Sequence, residues 1–427
     1  MHRGLSACAA LTGVVLLIAC GAGSSSDGWS DDRSGRKGVG DVPATDLGFV
    51  RHADAVEWPS ASDFVPPGHG LRILLPVGDC VRAIGDYQNG YRGVTANWTG
   101  ESACDHLRLD PAPDGAKAGG DGPPGTTDGW RGAGISADAA VVEPGGAILA
   151  ANSSGLTRYQ GTAAKELARA DLSTAGFEGE GSRSLVRGMA VTASGRIVID
   201  AGLSTKSGDA PVVLSSGDRG ATLRRVTLPP DPGLDRPEGS VRQVVGVLAA
   251  HGETVVALGS GTDRTSAWRS SDGGRTWSVS TISGLPPHLF LTRLVHTGDR
   301  WVALGGVDRT EAGAQDDTYV LISEDGRTWR PGATGGLGAG RAQDVTVDQS
   351  GELIVAGVVD DSRPVGADAA GDYCGVVWIG DGVREWDRGE LGCSAAPPQA
   401  VTTLRDGRVL IAGNRDLWLR AGAPGAA

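Results

Sequence analysis

A short unit of turn residues closed by tryptophan occurs twice, one repeat length apart: Ser270-Ser271-Asp272-Gly273-Gly274-Arg275-Thr276-Trp277 and Ser323-Glu324-Asp325-Gly326-Arg327-Thr328-Trp329. Recurrence at a fixed period restricts the chain to an array of equivalent units, each too small to bury its apolar face without its neighbours. Worn copies keep the period. The Asp falls at positions 218, 272, 325 and 381, spacings of 54, 53 and 56. The copy Ser216-Gly217-Asp218-Arg219-Gly220-Ala221-Thr222-Leu223 lacks the Trp, Asp381-Gly382 with Trp386 lacks the Ser and Thr, and an earlier copy near Tyr159-Gln160-Gly161-Thr162 is almost erased.

A second element keeps step with the first, an apolar run closed by small residues. Its copies are Ala147–Ala151, Arg196–Gly202, Thr254–Gly259, Trp301–Gly305, Leu353–Gly357 and Val409–Gly413, ending 46 to 57 residues apart. Apolar runs of five or six residues after a Gly-containing turn read as strands buried on both faces. In the turn unit, Asp accepts hydrogen bonds from turn amides, Gly supplies a positive φ, and Thr-Trp opens the next strand with β-preferring side chains. The Trp then contributes a large apolar surface between adjacent sheets.

These motifs resemble the Asp-box, or bacterial neuraminidase, repeat, whose pattern is Ser/Thr-x-Asp-x-Gly-x-Thr-Trp. Ser270, Asp272, Gly274, Thr276 and Trp277 match it at every position; Ser323, Asp325, Gly326, Thr328 and Trp329 match with one residue fewer; Asp218 and Asp381 mark the worn copies. The resemblance covers about 135 to 422 and implies an all-β propeller whose blades are four-stranded antiparallel sheets around a central channel. It also implies that the box lies between the third and fourth strands of a blade, opposite most ligand sites of the family.

Six copies run from 135 to about 421, and the last ends without a fourth-strand partner. The segment Gly70 to Asp110 is expected to close the ring, with 68–134 a first or closing blade plus loop and 135–422 six repeats. The 355 residues from 68 to 422 give about 51 per blade for seven blades and about 59 for six, so the period favours seven. Residues 423–427 are a tail.

Residues 1–19 read as an export signal, with His2 and Arg3 ahead of an apolar run. The ending Leu17-Ile18-Ala19-Cys20 resembles the lipobox of bacterial lipoproteins, which implies cleavage before Cys20, lipid on its sulfur, and a protein anchored outside the cell membrane. The apolar run is too short for a bilayer span, which needs about 20 residues. Residues 20–67, rich in Gly, Ser and Asp, are expected as a flexible tether. Four cysteines then remain, and in a disulfide-permissive compartment nearest-neighbour pairing gives Cys80 with Cys104 and Cys374 with Cys393. The latter two are centred on the turn-like Asp381-Gly382-Val383-Arg384, where a hairpin sets them opposite each other.

A net charge of −12 without a basic run argues against nucleic acid as partner. Sialidases share the fold, and the resemblance would require a tyrosine nucleophile, a carboxylate and three arginines. The nearest sequence to the family's Arg-Ile-Pro signature is Arg72-Ile73-Leu74-Leu75-Pro76, which departs from it and reads as an ordinary strand. None of Tyr87, Tyr91, Tyr159, Tyr319 and Tyr373 stands beside a glutamate in a recognisable arrangement, the seven histidines form no metal-spaced pair, and no cofactor motif occurs. Acidic loops hold Asp308, Glu311, Asp316 and Asp317, and Asp360, Asp361, Asp368 and Asp372, without the spacing of a calcium loop.

One constellation stands out. Arg187, Arg242, Arg293 and Arg341 each fall at or beside the start of the expected innermost strand of four successive blades. A partial arginine ring at a channel mouth holds carboxylates through bidentate bonds. The expectation is a monomeric, non-enzymatic binding or assembly module for a protein or glycan at the cell surface, touching the membrane through its lipid alone. The alternative from another class is a divergent glycoside hydrolase or lyase acting on acidic sugars.

Overall fold

The computed structural model describes residues 42–58, 70–89, 92–111, 135, 137–160, 165–171, 186–204, 210–231, 245–259, 264–286, 288–307, 317–360, 373–394 and 398–422. Two short strands come first, β1 (Val42–Pro43) and β2 (Phe49–His52), with a 3-10 turn between them at Ala44–Leu47. Six sheets then follow in sequence order: β3 (Gly70–Val77), β4 (Cys80–Asn89), β5 (Arg92–Gly100) and β6 (Leu107–Leu109); β7 (Ala139–Val142), β8 (Ile148–Asn152), β9 (Gly155–Gln160) and β10 (Lys165–Asp171); β11 (Gly188–Val191), β12 (Ile197–Ser204), β13 (Pro211–Ser216) and β14 (Arg224–Thr227); β15 (Val245–His251), β16 (Thr254–Gly259), β17 (Thr265–Ser270) and β18 (Ser278–Ile282); β19 (Leu289–His296), β20 (Trp301–Val307), β21 (Asp317–Ser323) and β22 (Arg330–Pro331); β23 (Arg341–Val347), β24 (Leu353–Asp360), β25 (Tyr373–Gly380) and β26 (Asp387–Ser394). The seventh joins β27 (Ala400–Thr403), β28 (Val409–Ala412) and β29 (Leu417–Arg420) to β2.

Every blade pairs its four strands antiparallel, and the first strand of each packs beside the first strand of the next: β3, β7, β11, β15, β19, β23, β27 and back to β3. The protein is therefore a closed seven-bladed propeller with these strands lining the channel. The six apolar runs are the second strands of blades two to seven, and residues such as Val198, Val256, Val302, Ile354 and Ile411 are fully buried between adjacent sheets. Seven separate core clusters fill the seams between blades.

The stretch expected as tether as far as residue 67 is partly built into the ring. Phe49–His52 pairs antiparallel with Leu417–Arg420 and supplies the fourth strand that the last repeat lacks, while Gly70–Leu109 is a complete blade, the first of the two roles expected of it. Upstream, Val42 and Pro43 add to the outer edge of β26; downstream, Val56 bridges Leu107 of β6. One segment thus fastens the rims of blades six, seven and one. Ion pairing of Arg51 with Asp416 (2.5 Å) and an Nε1–H of Trp58 donated to the Asn414 carbonyl hold it there.

The small residues that close the second strands have a steric cause. In blades one, four, five and six the first strand carries a β-bulge, at Arg72, Gly246, Thr292 and Gln343, directly beside the end of the second strand. A Cβ on Gly85, Gly305 or Gly357 would collide with the carbonyl oxygen of Gly70, Phe290 or Arg341, so the bulge requires glycine opposite it. Two faces follow from the strand directions. The box face carries the turns from first to second and from third to fourth strands; the entry face carries the starts of the innermost strands.

Both expected disulfides are formed, Cys80–Cys104 and Cys374–Cys393, and the second joins residues directly opposite in β25 and β26. Two disulfides place the chain in an oxidising, extracytoplasmic compartment. No helix among the described residues is long and apolar enough to cross a membrane.

Candidate ligand face

The Ser-Asp-Gly-Thr turns saturate their own polar groups. The Asp272 carboxylate accepts from Ser270 Oγ (2.7 Å), the Arg275 and Thr276 amides (3.0 and 2.9 Å) and Thr276 Oγ1 (2.7 Å), while Ser270 Oγ accepts from Gly274 N–H (2.8 Å). Asp218 repeats this with Ser216 and Thr222, and Asp325 with Ser323, Arg327 and Thr328, while Gly220 and Gly326 N–H donate to Ser216 and Ser323 Oγ. Asp381, which lacks the Ser and Thr, still accepts from the Val383 and Arg384 amides at 2.8 Å. These donors hold all four carboxyls below the ordinary range, Asp218 at about 2. Such turns direct their carboxylates onto their own amides and hydroxyls, Asp381 through Oδ1 alone.

The entry face differs. Arg187, exposed just ahead of β11, lies over Gly202 and donates to the Val245 carbonyl (3.4 Å). Beneath it Asp200 is fully buried; its Oδ1 accepts from Gly202 N–H (2.8 Å) and its Oδ2 has no partner. Burial pushes the Asp200 carboxyl up to about 7, against the opposing pull of the Gly202 amide and the Arg187 charge. Arg293, on β19, donates from Nε to Asp344 Oδ1 (2.6 Å), and Asp344 Oδ2 accepts from Val401 N–H (3.0 Å), so one carboxylate links the innermost strands of blades five, six and seven.

Arg341 opens β23, is exposed, and lies beside Gln343, whose amide oxygen, with the amide turned to satisfy both partners, accepts from Arg341 Nε at 3.1 Å. Arg242 lies outside the described residues. Register separates the two rim arginines of blades five and six. Arg341 pairs with Val358, one step outside Gly357, whereas Arg293 pairs with Leu304, one step inside Gly305. That is two residues of depth, about 7 Å along the channel.

The entry face holds residues that the sequence did not mark. Arg72, the bulge residue of β3, lies 2.7 Å from Asp86 Oδ2, and Asp138 at the start of blade two faces both; burial raises the Asp138 carboxyl, with Arg72 opposing and Asp86 adding to the rise. Of these, Arg72 alone has a signal in the sequence, the glycine at 85 opposite its bulge. On the box side, His251 and His296 end neighbouring innermost strands and stack with ring centroids 3.8 Å apart. Burial and the His251 charge lower His296 to about 4. A shallow cavity of about 420 Å³ at that mouth is lined by Pro76, Glu143, Pro144, Leu404 and Arg405 among others.

Among the described residues no group of three or more His, Cys, Asp or Glu is placed to hold a metal ion, and the acidic loops 308–316 and 361–372 lie outside them. None of the hydrogen bonds of the described residues joins a tyrosine hydroxyl to a carboxylate; burial raises Tyr87, Tyr159 and Tyr319.

No protein-family model matches the chain, and no curated protein does. Solved structures similar to it include the extracellular domain of the putative one component system BT4673 from B. thetaiotaomicron (10% identity, 84% of this chain and 40% of that one, TM-score 0.44). Others are an α-L-arabinofuranosidase from Fusarium graminearum (13% identity, 53% of this chain and 74% of that one, TM-score 0.36) and YCF48 from Cyanidioschyzon merolae (12% identity, 66% and 94%, TM-score 0.37). The chain spans 40% of the length of the first.

Proposed function

We propose that this chain is a lipid-anchored Asp-box propeller that binds a protein or glycan ligand through its entry face, without catalysing a reaction. The observation that carries the reading is the charged lining of the innermost strands, where the exposed Arg187 lies over Asp200 in the third blade, the exposed Arg341 opens the sixth, and Arg293 pairs with Asp344 between the fifth and sixth. The box face offers no comparable set, because its turn carboxylates are consumed by their own amides.

The large apolar side chains exposed among the described residues are Val50 and Val383, so recognition on this surface rests on polar and charged contacts. Arginine forks on rigid strand ends favour a ligand bearing carboxylates, an acidic glycan or an acidic protein segment. Anchorage would come from Cys20, which lies outside the described residues. Replacing it, Cys20→Ser, is expected to release the protein from the membrane fraction, and mass spectrometry of the mature chain checks cleavage before residue 20.

The binding reading is tested on a glycan array carrying neutral and uronic-acid-containing oligosaccharides, with wild-type protein, Arg187→Ala, Arg341→Ala and the box-face control Arg384→Ala. Acidic glycans should bind, and the two rim variants should each lose about tenfold in affinity, the equivalent of about 1.4 kcal/mol, while the control binds as wild type. Equal binding by Arg341→Ala and wild type overturns the assignment to the entry face. Turnover of any arrayed oligosaccharide overturns the non-enzymatic part.

A further inference from the structure

The two disulfides occupy opposite environments. Cys80 and Cys104 are 3% and 0% exposed and sit in the core with Val81, Ala83, Trp98 and Leu107. A Cβ on Gly100 would strike Cys80 Sγ, so the chain closes tightly over that bridge. Cys393 is exposed and Cys374 half-buried.

We propose that Cys374–Cys393 is a thiol–disulfide exchange site of the folded protein, open to small thiols and to a dithiol oxidoreductase of the extracytoplasmic space, whereas Cys80–Cys104 is a permanent bond. Exchange needs a thiolate to reach one sulfur along the S–S axis, and exposure decides which bridge permits it. The edge geometry provides the approach. β26 is the outermost full strand of its blade, and β1 covers it only at Gly389 and Glu390, leaving its outer edge at Cys393 without a strand neighbour among the described residues.

The bond also fastens the end of the outer strand. A register shift between Gly375 and Val376 leaves three residue pairs beyond it, Tyr373 with Ser394, Cys374 with Cys393 and Gly375 with Gly392. Inside the shift the sheet is held by Val376, Val377 and Trp378, all buried. Cutting the bridge leaves the flap Gly392–Ser394 held by those three pairs alone, while Tyr373–Gly375 stay paired in register with Val358–Asp360 of β24. The flap adjoins the rim: Gly375 pairs with Val358, which pairs with Arg341, and a Cβ on Gly375 would meet Pro398, which leads into β27. Exchange therefore loosens the entry face at the sixth blade.

The chemistry balances within one dithiol. Its thiolate attacks Cys393 Sγ, the S–S bond breaks, and Cys374 leaves as thiolate and takes a proton. The second thiol of the reductant then attacks the mixed disulfide and releases Cys393. The protein disulfide is reduced to two thiols and the reductant is oxidised to its disulfide.

The test uses the whole exported protein and no ligand, so it stands apart from the binding reading. Native protein is treated with dithiothreitol, quenched with iodoacetamide at intervals and mapped by peptide mass spectrometry, with circular dichroism following the fold. Cys374 and Cys393 should be labelled at least about tenfold faster than Cys80 and Cys104, with the spectrum unchanged. One common rate, or labelling only when the fold is lost, overturns the proposal. The paired variant Cys374→Ser/Cys393→Ser should exchange amide hydrogen faster at 392–394 alone; a rise across all of β25 and β26 would make the bond a support of the blade and defeat the proposal equally.

Discussion

The box face and the entry face are built from the same strands and the same residue types, yet they use charge in opposite ways. On the box face Asp218, Asp272 and Asp325 bond amides and hydroxyls of their own turns and Asp381 amides alone, and the carboxyls are held low, as with Asp218 at about 2. On the entry face the charges reach between strands and blades, Arg293 to Asp344 and Arg187 over Asp200, and the buried Asp200 carboxyl is driven up to about 7. A carboxylate surrounded by local donors is a fastening. One sealed under an arginine between two blades is a source of stored instability, which proteins concentrate where a surface has work beyond folding.

The tryptophans divide between those that bond a distant segment and one that bonds only its own turn, and they carry the largest expected effect. Trp378 is fully buried and donates its Nε1–H to the Leu337 carbonyl (2.7 Å), on the connection entering the sixth blade. Trp268 does the same to Pro229 (2.8 Å) and Trp98 to Glu57 (2.6 Å). Trp277, half-buried, reaches only Gly274 of its own turn (3.1 Å). Trp378→Ala should cost about 3–5 kcal/mol by urea denaturation, and Trp277→Ala less than half of that. Equal costs would mean that reaching a distant segment adds nothing to the fastening.

The pH dependence sharpens the contrast because its sign differs between the faces. Asp200 titrates in the folded state near 7 and in the unfolded state near 3.8, so between those values the folded protein binds the extra proton and stability falls as pH rises. Asp200→Asn should remove that slope and stabilise the protein at neutral pH by up to about 4 kcal/mol, at about 1.4 kcal/mol per pH unit. The box carboxyls run the other way. Asp272 is held below its unfolded value, so its contribution is present above about pH 4 and is lost as pH falls through the lowered folded value. Asp272→Ala should cost about 2 kcal/mol at pH 7 and progressively less in acid, followed by thermal denaturation across pH. Parallel pH profiles for Asp200→Asn and Asp272→Ala would break the comparison.

How much of this was legible follows from where each element finds its partners. The second strands are sandwiched between neighbouring sheets, so six of them are predominantly apolar and visible in the sequence. The seventh, in the first blade, hid because Arg82 interrupts Val81-Arg82-Ala83-Ile84-Gly85; that arginine is buried against Asp110 (2.7 Å) and Thr99. β2 was illegible for another reason: Phe49-Val50-Arg51-His52 becomes a strand only by meeting Leu417–Arg420 at the far end of the chain. The third-strand tryptophans did leave a trace, since Trp98, Trp268 and Trp378 are 170 and 110 residues apart, about three and two repeat lengths. The depth of the rim arginines left none, because a one-residue bulge resets the register without changing composition.

The smallest expected effect separates the two components of the box turn. Four successive copies carry an arginine, Arg219, Arg275, Arg327 and Arg384, and the simplest account would credit them with part of the fastening. Arg384 is 87% exposed, and its 3.4 Å contact with Asp381 lies in open solvent, where an ion pair gains little over hydration and loses side-chain freedom. Asp381, by contrast, accepts two backbone amides whether or not the guanidinium is there. Arg384→Ala should therefore change stability by no more than about 0.5 kcal/mol, with no added dependence on salt, measured by urea denaturation at low and high ionic strength. A loss of 1 kcal/mol or more that fades in salt would show the box face relying on charge between side chains, as the entry face does, and the distinction between a self-contained turn and a charged rim would fail at the sixth blade.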